Sequence, residues 1–217
     1  LSLFTSKPEI KKKKATASTR QEEVTQMWVE KVSNYMSQKP EKKKEPNFGW
    51  YELRSAIIEA LLNLTDNHCS FCDCWFNSDQ AAHSTEIEHF KPKIKYPESA
   101  FDWFNLFVIC RACNKIKGQE YKDLLLKPDN DKFSHDYFAY NVVTGEIYPN
   151  PGKDKEVQDA VEYTIKTYKL DRPELRKARK DALEHYNGNR DSLIRESYRD
   201  FIERFYTNVE NTPNNHY

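Results

Sequence analysis

A carboxylate and an imidazole stand side by side at Glu88-His89. Two side-chain amides follow at Asn105 and Asn114, and four thiols bracket them as Cys69-x-x-Cys72 and Cys110-x-x-Cys113. Hydrolysis of a phosphodiester asks for such groups: a base to make water nucleophilic, a cation against the charge growing on phosphate, and help for the departing oxygen. His89 can be the general base, because imidazole titrates near working pH and the residue sits where a strand gives way to a loop. Glu88 offers a hard oxygen to magnesium or a similar ion, and the amide of Asn114 can offer a second. Asn105 can hydrogen-bond across the loop and hold the backbone of His89. Taken singly, His89 reads as an ordinary packed or surface histidine and Asn105 as a turn residue; their company is what suggests a site.

The four paired cysteines are expected to be structural. Each Cys-x-x-Cys makes a tight knuckle that presents two thiolates to one tetrahedral ion, with 37 residues between the pairs. No apolar signal core opens the chain, so a reducing, cytoplasmic setting is expected, where such pairs favour zinc over disulfides. Cys74 is left over, as a free thiol or a substitute for Cys72. His68 reads as a bystander beside Cys69, and His83, His135, His185 and His216 as structural or incidental. Lys91, Lys93, Lys95, Arg111 and Lys117 are candidate contacts to a nucleic acid.

The elements that must position these groups follow from periodicity. Residues 84–90 alternate and read as a strand that Pro92 ends; 91–104 read as a loop, and Leu106 to Ile109 as a second, apolar strand. The second knuckle turns into a short helix from Ala112 to Lys117, closed by Gly118. Strand, loop, strand and helix pinned by four cysteines make a ββα unit. Before it, Thr19 with Glu22 fits a capping box, and Val24, Met27, Trp28, Val32 and Tyr35 mark a helix. Trp50, Leu53, Ile57, Ala60, Leu61 and Leu64 mark another. After it, residues 133–148 suggest a hairpin turning at Thr144-Gly145, whose Tyr137, Phe138, Tyr140 and Tyr148 are expected to pack rather than stack on bases. Helices follow, through Val157, Val161, Ile165 and Tyr168, then from Pro173, then through Leu193, Ile194, Tyr198, Phe201, Ile202 and Phe205.

The expected class is α+β and mainly helical, with a zinc-stapled ββα core and helical additions at both ends. Its divisions are a flexible basic arm (1–18), N-terminal helices (19–66), the zinc-bound core (67–128), and a hairpin with C-terminal helices (129–217). At 217 residues the chain can bury a sizeable core. Its 34 basic and 34 acidic residues cancel, which excludes a binder that holds nucleic acid by bulk charge alone. Charge is nevertheless uneven: residues 1–48 carry eleven Lys or Arg against six Asp or Glu, and 86–128 eight against six. No run of about 18 apolar residues exists to span a membrane.

The residues Ile87-Glu88-His89-Phe90-Lys91-Pro92-Lys93, Trp103-Phe104-Asn105-Leu106 and Cys110-Arg111-Ala112-Cys113-Asn114-x-x-Lys117-Gly118 resemble the HNH nuclease superfamily with its ββα-metal fold. With Lys95-Tyr96-Pro97 they resemble more narrowly its PtuB group, the HNH subunits of Septu and retron anti-phage systems. The resemblance is close from residue 69 to about 130 and loose beyond. It implies His89 as general base, Glu88 where the family usually has Asp as metal ligand, Asn105 as the central Asn and Asn114 in the last position. Glu88 in place of Asp lengthens that ligand by one methylene. The resemblance further implies one catalytic divalent ion, magnesium or manganese, a cut that leaves a 5′-phosphate, and an ABC-type ATPase as partner. DNA is the favoured substrate, with RNA or tRNA the alternative. The rival expectation is a non-catalytic zinc module that binds nucleic acid or protein through its lysines, in which His89 could be replaced without consequence.

Overall fold

The computed structural model describes residues 19–38, 46–50, 53–76, 85–129, 135–186 and 198–210. The expected basic arm, Ser84, Phe133, Leu193, Ile194, His83 and His216 lie outside them, as do the side chains of Thr19 and His135. Among the described residues are six α-helices and two small sheets, an α+β protein. No helix there is long and apolar enough to cross a membrane. The chain divides into two compact units interleaved in sequence, Leu1–Leu64 with Ile87–Val108 and Thr65–Glu86 with Ile109–Tyr217.

The first unit contains α1 (Thr19–Met36) and α2 (Arg54–Leu64). Val24, Trp28 and Val32 recur every four residues, so they share one face of α1 and are all buried. Met27, expected on the same stripe, is 43% exposed because it projects about one step round the helix from Trp28. The buried face of α1 meets Ala100 and Phe101, with Phe48, Trp50, Leu53 and Ile94 packed around them. The second expected helix starts later than its apolar stripe suggests. Trp50 and Leu53 precede α2, and the carbonyl of Trp50 accepts from the amide of Leu53 at 2.8 Å.

Strand β1 (Thr85–His89) pairs with β2 (Leu106–Cys110), and α3 (Arg111–Lys117) follows directly, giving the expected ββα order. The loop between the strands carries two short 3₁₀ turns, at Pro97–Ser99 and Trp103–Asn105. Gly118 closes α3 with a φ of +55°, the left-handed region that glycine enters without a Cβ penalty.

In the second unit, β3 (Phe138–Asn141) and β4 (Glu146–Pro149) form an antiparallel hairpin. Its arms are shorter than expected, and the turn over residues 142–145 includes the expected Thr144-Gly145, with Gly145 at a φ of +74°. Phe138 is buried. Tyr140 meets Phe201 edge-on and lies beneath the guanidinium groups of Arg179 and Arg204, so these rings pack within the unit, while Tyr148 is exposed. Helices α4 (Lys155–Tyr168), α5 (Pro173–His185, with proline in its first turn) and α6 (Arg199–Glu210) complete it. The ring of Phe71, inside the first Cys-x-x-Cys, stacks on Tyr168 of α4 at 3.9 Å. Asp73, just beyond that knuckle, accepts from the backbone amide of Arg199 at 2.7 Å and pairs with its guanidinium, tying the start of α6 to the same loop.

Candidate metal centre and candidate active site

Two local constellations lie where the sequence placed its chemistry. Cys69, Cys72, Cys110 and Cys113 converge so that all four sulfurs lie within 4.8 Å of one another. Cys72 and Cys110 are 3.8 Å apart, the separation that two sulfurs keep on a tetrahedral ion with Zn–S bonds of about 2.3 Å. Backbone amides point at the sulfurs: Cys110 N–H donates to Cys69 Sγ at 3.4 Å, and Cys113 N–H to Cys110 Sγ at 3.5 Å. The second of these bonds also caps the N-terminus of α3. The thiols compete for charge. Hydrogen bonds from Cys113, Cys69 and Cys72 hold the Cys110 thiol far below its ordinary range, while donating to Cys110 pushes Cys113 far above it. One thiolate can be stabilised only by its neighbours keeping their protons, and a cation is what allows all four to ionise together. The donor set therefore fits zinc, a borderline-soft ion that takes four thiolates. Cys74 is half-buried and stands outside the tetrad. His68 is buried, its Nδ1 2.7 Å from the carbonyl of Asp66.

In the first unit His89, at the end of β1, is only 7% exposed. Its Nε2 lies 2.9 Å from the carbonyl oxygen of Ala100. A carbonyl only accepts, so Nε2 carries the proton and Nδ1 is the basic nitrogen of the neutral ring. Ala100 belongs to the core formed against α1, so the apolar stripe of that helix sets the oxygen that selects the tautomer. The ring plane is held as well. Trp50 stacks on the imidazole, with centroids 5.5 Å apart and planes at 24°, and Phe48 meets it edge-on at 5.1 Å. Neither aromatic carried a functional signal in the sequence, since each lies some forty residues before His89 and reads as core.

Asn105 is 4% exposed and ties the start of the loop together. Its Oδ1 accepts from Lys91 N–H at 2.7 Å; its Nδ2 donates to the carbonyls of Lys91 at 3.1 Å and Ser99 at 2.9 Å. Its own carbonyl accepts from Phe90 N–H at 2.9 Å. Through its backbone carbonyl and its side-chain amide, Asn105 thus grips the two residues after His89. Trp28 of α1 donates its indole N–H to the carbonyl of Lys93 at 3.1 Å, bracing the same loop.

In the second unit Asn114, on α3, donates a short hydrogen bond from Nδ2 to Glu86 Oε2. That bond assigns the amide, so Oδ1 is the oxygen Asn114 can offer to a cation. Glu86 was absent from the expected ligands, although it lies two residues from Glu88 on the same strand. Glu88 itself is 3% exposed. Carboxylate and amide oxygens are hard donors of the kind magnesium takes, so Glu86 and Asn114 here, and Glu88 in the first unit, are each suited to such an ion by type. Among the expected nucleic-acid contacts, Lys95 and Arg111 are exposed, and Lys91 and Lys93 half-buried. Lys93 lies over the Phe48 ring at 5.4 Å and Lys91 over Tyr96 at 5.5 Å. Lys117 is the correction: it is 1% exposed, because it lies four residues after buried Cys113 on the inward face of α3, and its ammonium is not offered to a polyanion.

With this fold order, cysteine centre and Glu-His strand end, the chain resembles an HNH nuclease of the PtuB kind. It is 34% identical over 84 residues to the Septu protein PtuB of Bacillus thuringiensis, a stretch covering 38% of this chain and 32% of that protein. A retron Ec83 protein of Escherichia coli, whose name designates it a candidate HNH endonuclease, is 24% identical over 193 aligned positions, covering 67% of this chain and 74% of that one. The chain thus matches about a third of the length of the Septu protein. No family profile matches it.

Proposed function

We propose that this protein is a metal-dependent HNH endonuclease, the nuclease effector of an anti-phage complex with an ABC-type ATPase. The observation that carries the reading is the contact of His89 Nε2 with the Ala100 carbonyl, which assigns the tautomer. With Nε2–H committed to the Ala100 carbonyl, Nδ1 is the nitrogen that can take a proton from water. The resulting hydroxide attacks phosphorus, and the bond to the 3′ oxygen breaks to leave a 5′-phosphate. The imidazolium so formed keeps its bond to Ala100, and the face of Trp50 stabilises its charge. Asn105 holds the backbone at Phe90 and Lys91, so the ring does not swing away as it charges. Glu88 and Asn114 are the residues that would hold a divalent ion, which when bound would stabilise the charge growing on the phosphate; Glu86 orients the Asn114 amide. Zinc on the four cysteines is structural. Lys91, Lys93, Lys95 and Arg111 meet the backbone of the nucleic acid.

The names of the relatives support the defence role, and the resemblance of the motifs supports the ATPase partner. A zinc module without chemistry accounts for the tetrad but gives no reason for an imidazole held at both nitrogen and ring face. Supercoiled plasmid, linear DNA and total tRNA are incubated with purified protein and magnesium or manganese, alone and with the ATPase. Cleavage is expected that His89→Ala abolishes while zinc content and melting temperature are unchanged. Equal cleavage by the variant, or none under any condition, favours the bare zinc module. Separate elution of the two subunits at micromolar concentration rejects the partnership.

A further inference from the structure

His89 forms one wall of an open pocket of about 310 Å³, whose other walls include Asn47, Phe48, Trp50, Ile87 and Lys93. Every one of these residues belongs to the first unit. That volume is at the small end of ligand pockets, on the order of 300 Å³, and suits one nucleotide rather than a stacked base pair. Its composition has three parts. Phe48 and Trp50 supply aromatic surface, rigidly held: Phe48 is packed by Trp28 edge-on at 4.7 Å and by Phe101 at 4.9 Å, and meets Trp50 at 4.9 Å. Asn47, exposed, offers a side-chain amide with both donor and acceptor. Lys93, its ammonium over the Phe48 ring, brings a positive charge to the same space.

Aromatic surface, an amide and a cation are the groups with which proteins hold an unpaired nucleotide: base on ring, amide to base edge, ammonium to phosphate. In a duplex the base faces are covered by their neighbours, and no base reaches such a pocket without leaving the stack. We propose that this pocket receives an unstacked base adjoining the phosphate that His89 attacks, so that the substrate is single-stranded or locally opened nucleic acid. This assignment rests on the nuclease reading for the role of His89, and it deepens that reading by naming the form of the substrate.

Binding tests it separately from cleavage. The full-length protein, in buffer without added divalent ions, is titrated into three fluorescent ligands and followed by anisotropy. They are a six-nucleotide thymidine strand, an abasic backbone of the same length and charge, and a hairpin duplex. The thymidine strand is expected to bind roughly tenfold more tightly than the abasic backbone, within the range that base stacking on an aromatic supports. The hairpin is expected to bind no better than the abasic strand. Phe48→Leu and Asn47→Ala are each expected to reduce the preference for bases, and Lys93→Ala to weaken both single strands equally with a shallower salt dependence. If Phe48→Leu does not fold, the exposed Asn47 decides the outcome.

Equal binding of the abasic strand, tighter binding of the hairpin, or a base preference that survives both wall substitutions would overturn the assignment. Cleavage dependent on His89 together with such a result rejects the pocket and leaves the nuclease. A base preference mapped to Asn47 in a protein that cuts nothing rejects the nuclease and leaves the pocket.

Discussion

Replacing Asn105 tests the loop that carries the candidate base, and two substitutions at this position make opposite demands on the reasoning. Asn105→Ala removes three hydrogen bonds at a residue 4% exposed: one accepted from Lys91 N–H and two donated to the carbonyls of Lys91 and Ser99. At about 1 kcal/mol net for each bond, the loss is about 3 kcal/mol, a large share of the stability of an ordinary domain. Asn105→Asp is nearly the same shape and keeps the acceptor for Lys91 N–H. It nevertheless turns a carboxylate oxygen toward the two carbonyls that formerly received a donor. At neutral pH it is expected to be at least as destabilising as alanine, since two acceptors then face a buried negative charge.

The pH dependence has a definite sign. Facing carbonyl oxygens, the introduced carboxyl has its folded pKa raised above the unfolded value. Its protonated form can donate to one of them, so that stability is present at low pH and is lost as pH rises through the raised folded value. Urea denaturation of both variants at pH 5 and pH 8 reads this directly. The aspartate variant should improve relative to the alanine variant at pH 5, and cleavage by both should fall because the turn after His89 is loosened. An aspartate variant as stable as wild type at pH 8, or an alanine variant that loses less than about 1 kcal/mol, would show that the amide does not hold the loop.

Two further substitutions probe the frame around the site. Cys110→Ser keeps a residue able to cap α3 but removes a zinc ligand, so it separates the cap from the metal. It is expected to lose the zinc and several kcal/mol of stability, measured by metal analysis and thermal melting, whereas a full zinc complement with an unchanged melting temperature would reject the tetrad as a staple. At the hairpin, a Cβ built on Gly145 falls 2.3 Å from the carbonyl oxygen of Arg176, at a φ of +74°. Gly145→Ala should therefore cost more than the roughly 1–2 kcal/mol of left-handed backbone strain alone, and a melting temperature equal to wild type would refute the close approach.

Local pattern carried much of the architecture. Cys-x-x-Cys spacing marks a knuckle whatever the rest of the chain does, because two thiolates three residues apart are already shaped for one ion. Val24, Trp28 and Val32 lie on one helical face by periodicity alone, and the turn at Gly118 follows from its freedom at positive φ. The order strand, strand, helix around Glu88-His89 was legible for the same reason: the period of each segment is a property of the segment.

Contacts between residues distant in sequence were decided only by the tertiary structure. Alternation along β1 puts Glu86 and Glu88 on one face and does not distinguish them. The structure leaves Glu86 half-buried on Asn114 and makes Glu88 almost wholly buried. Lys117 reads as a surface cation until it is seen on the buried face of α3 that it shares with Cys113. The pocket beside His89 is the clearest case. Sequence alone placed a histidine with a carboxylate neighbour at a strand end, between two Cys-x-x-Cys pairs along the chain. Folding decided that Trp50 and Phe48 would hold its ring and Ala100 its proton, since burial of the apolar face of α1 brings together segments that no local period connects.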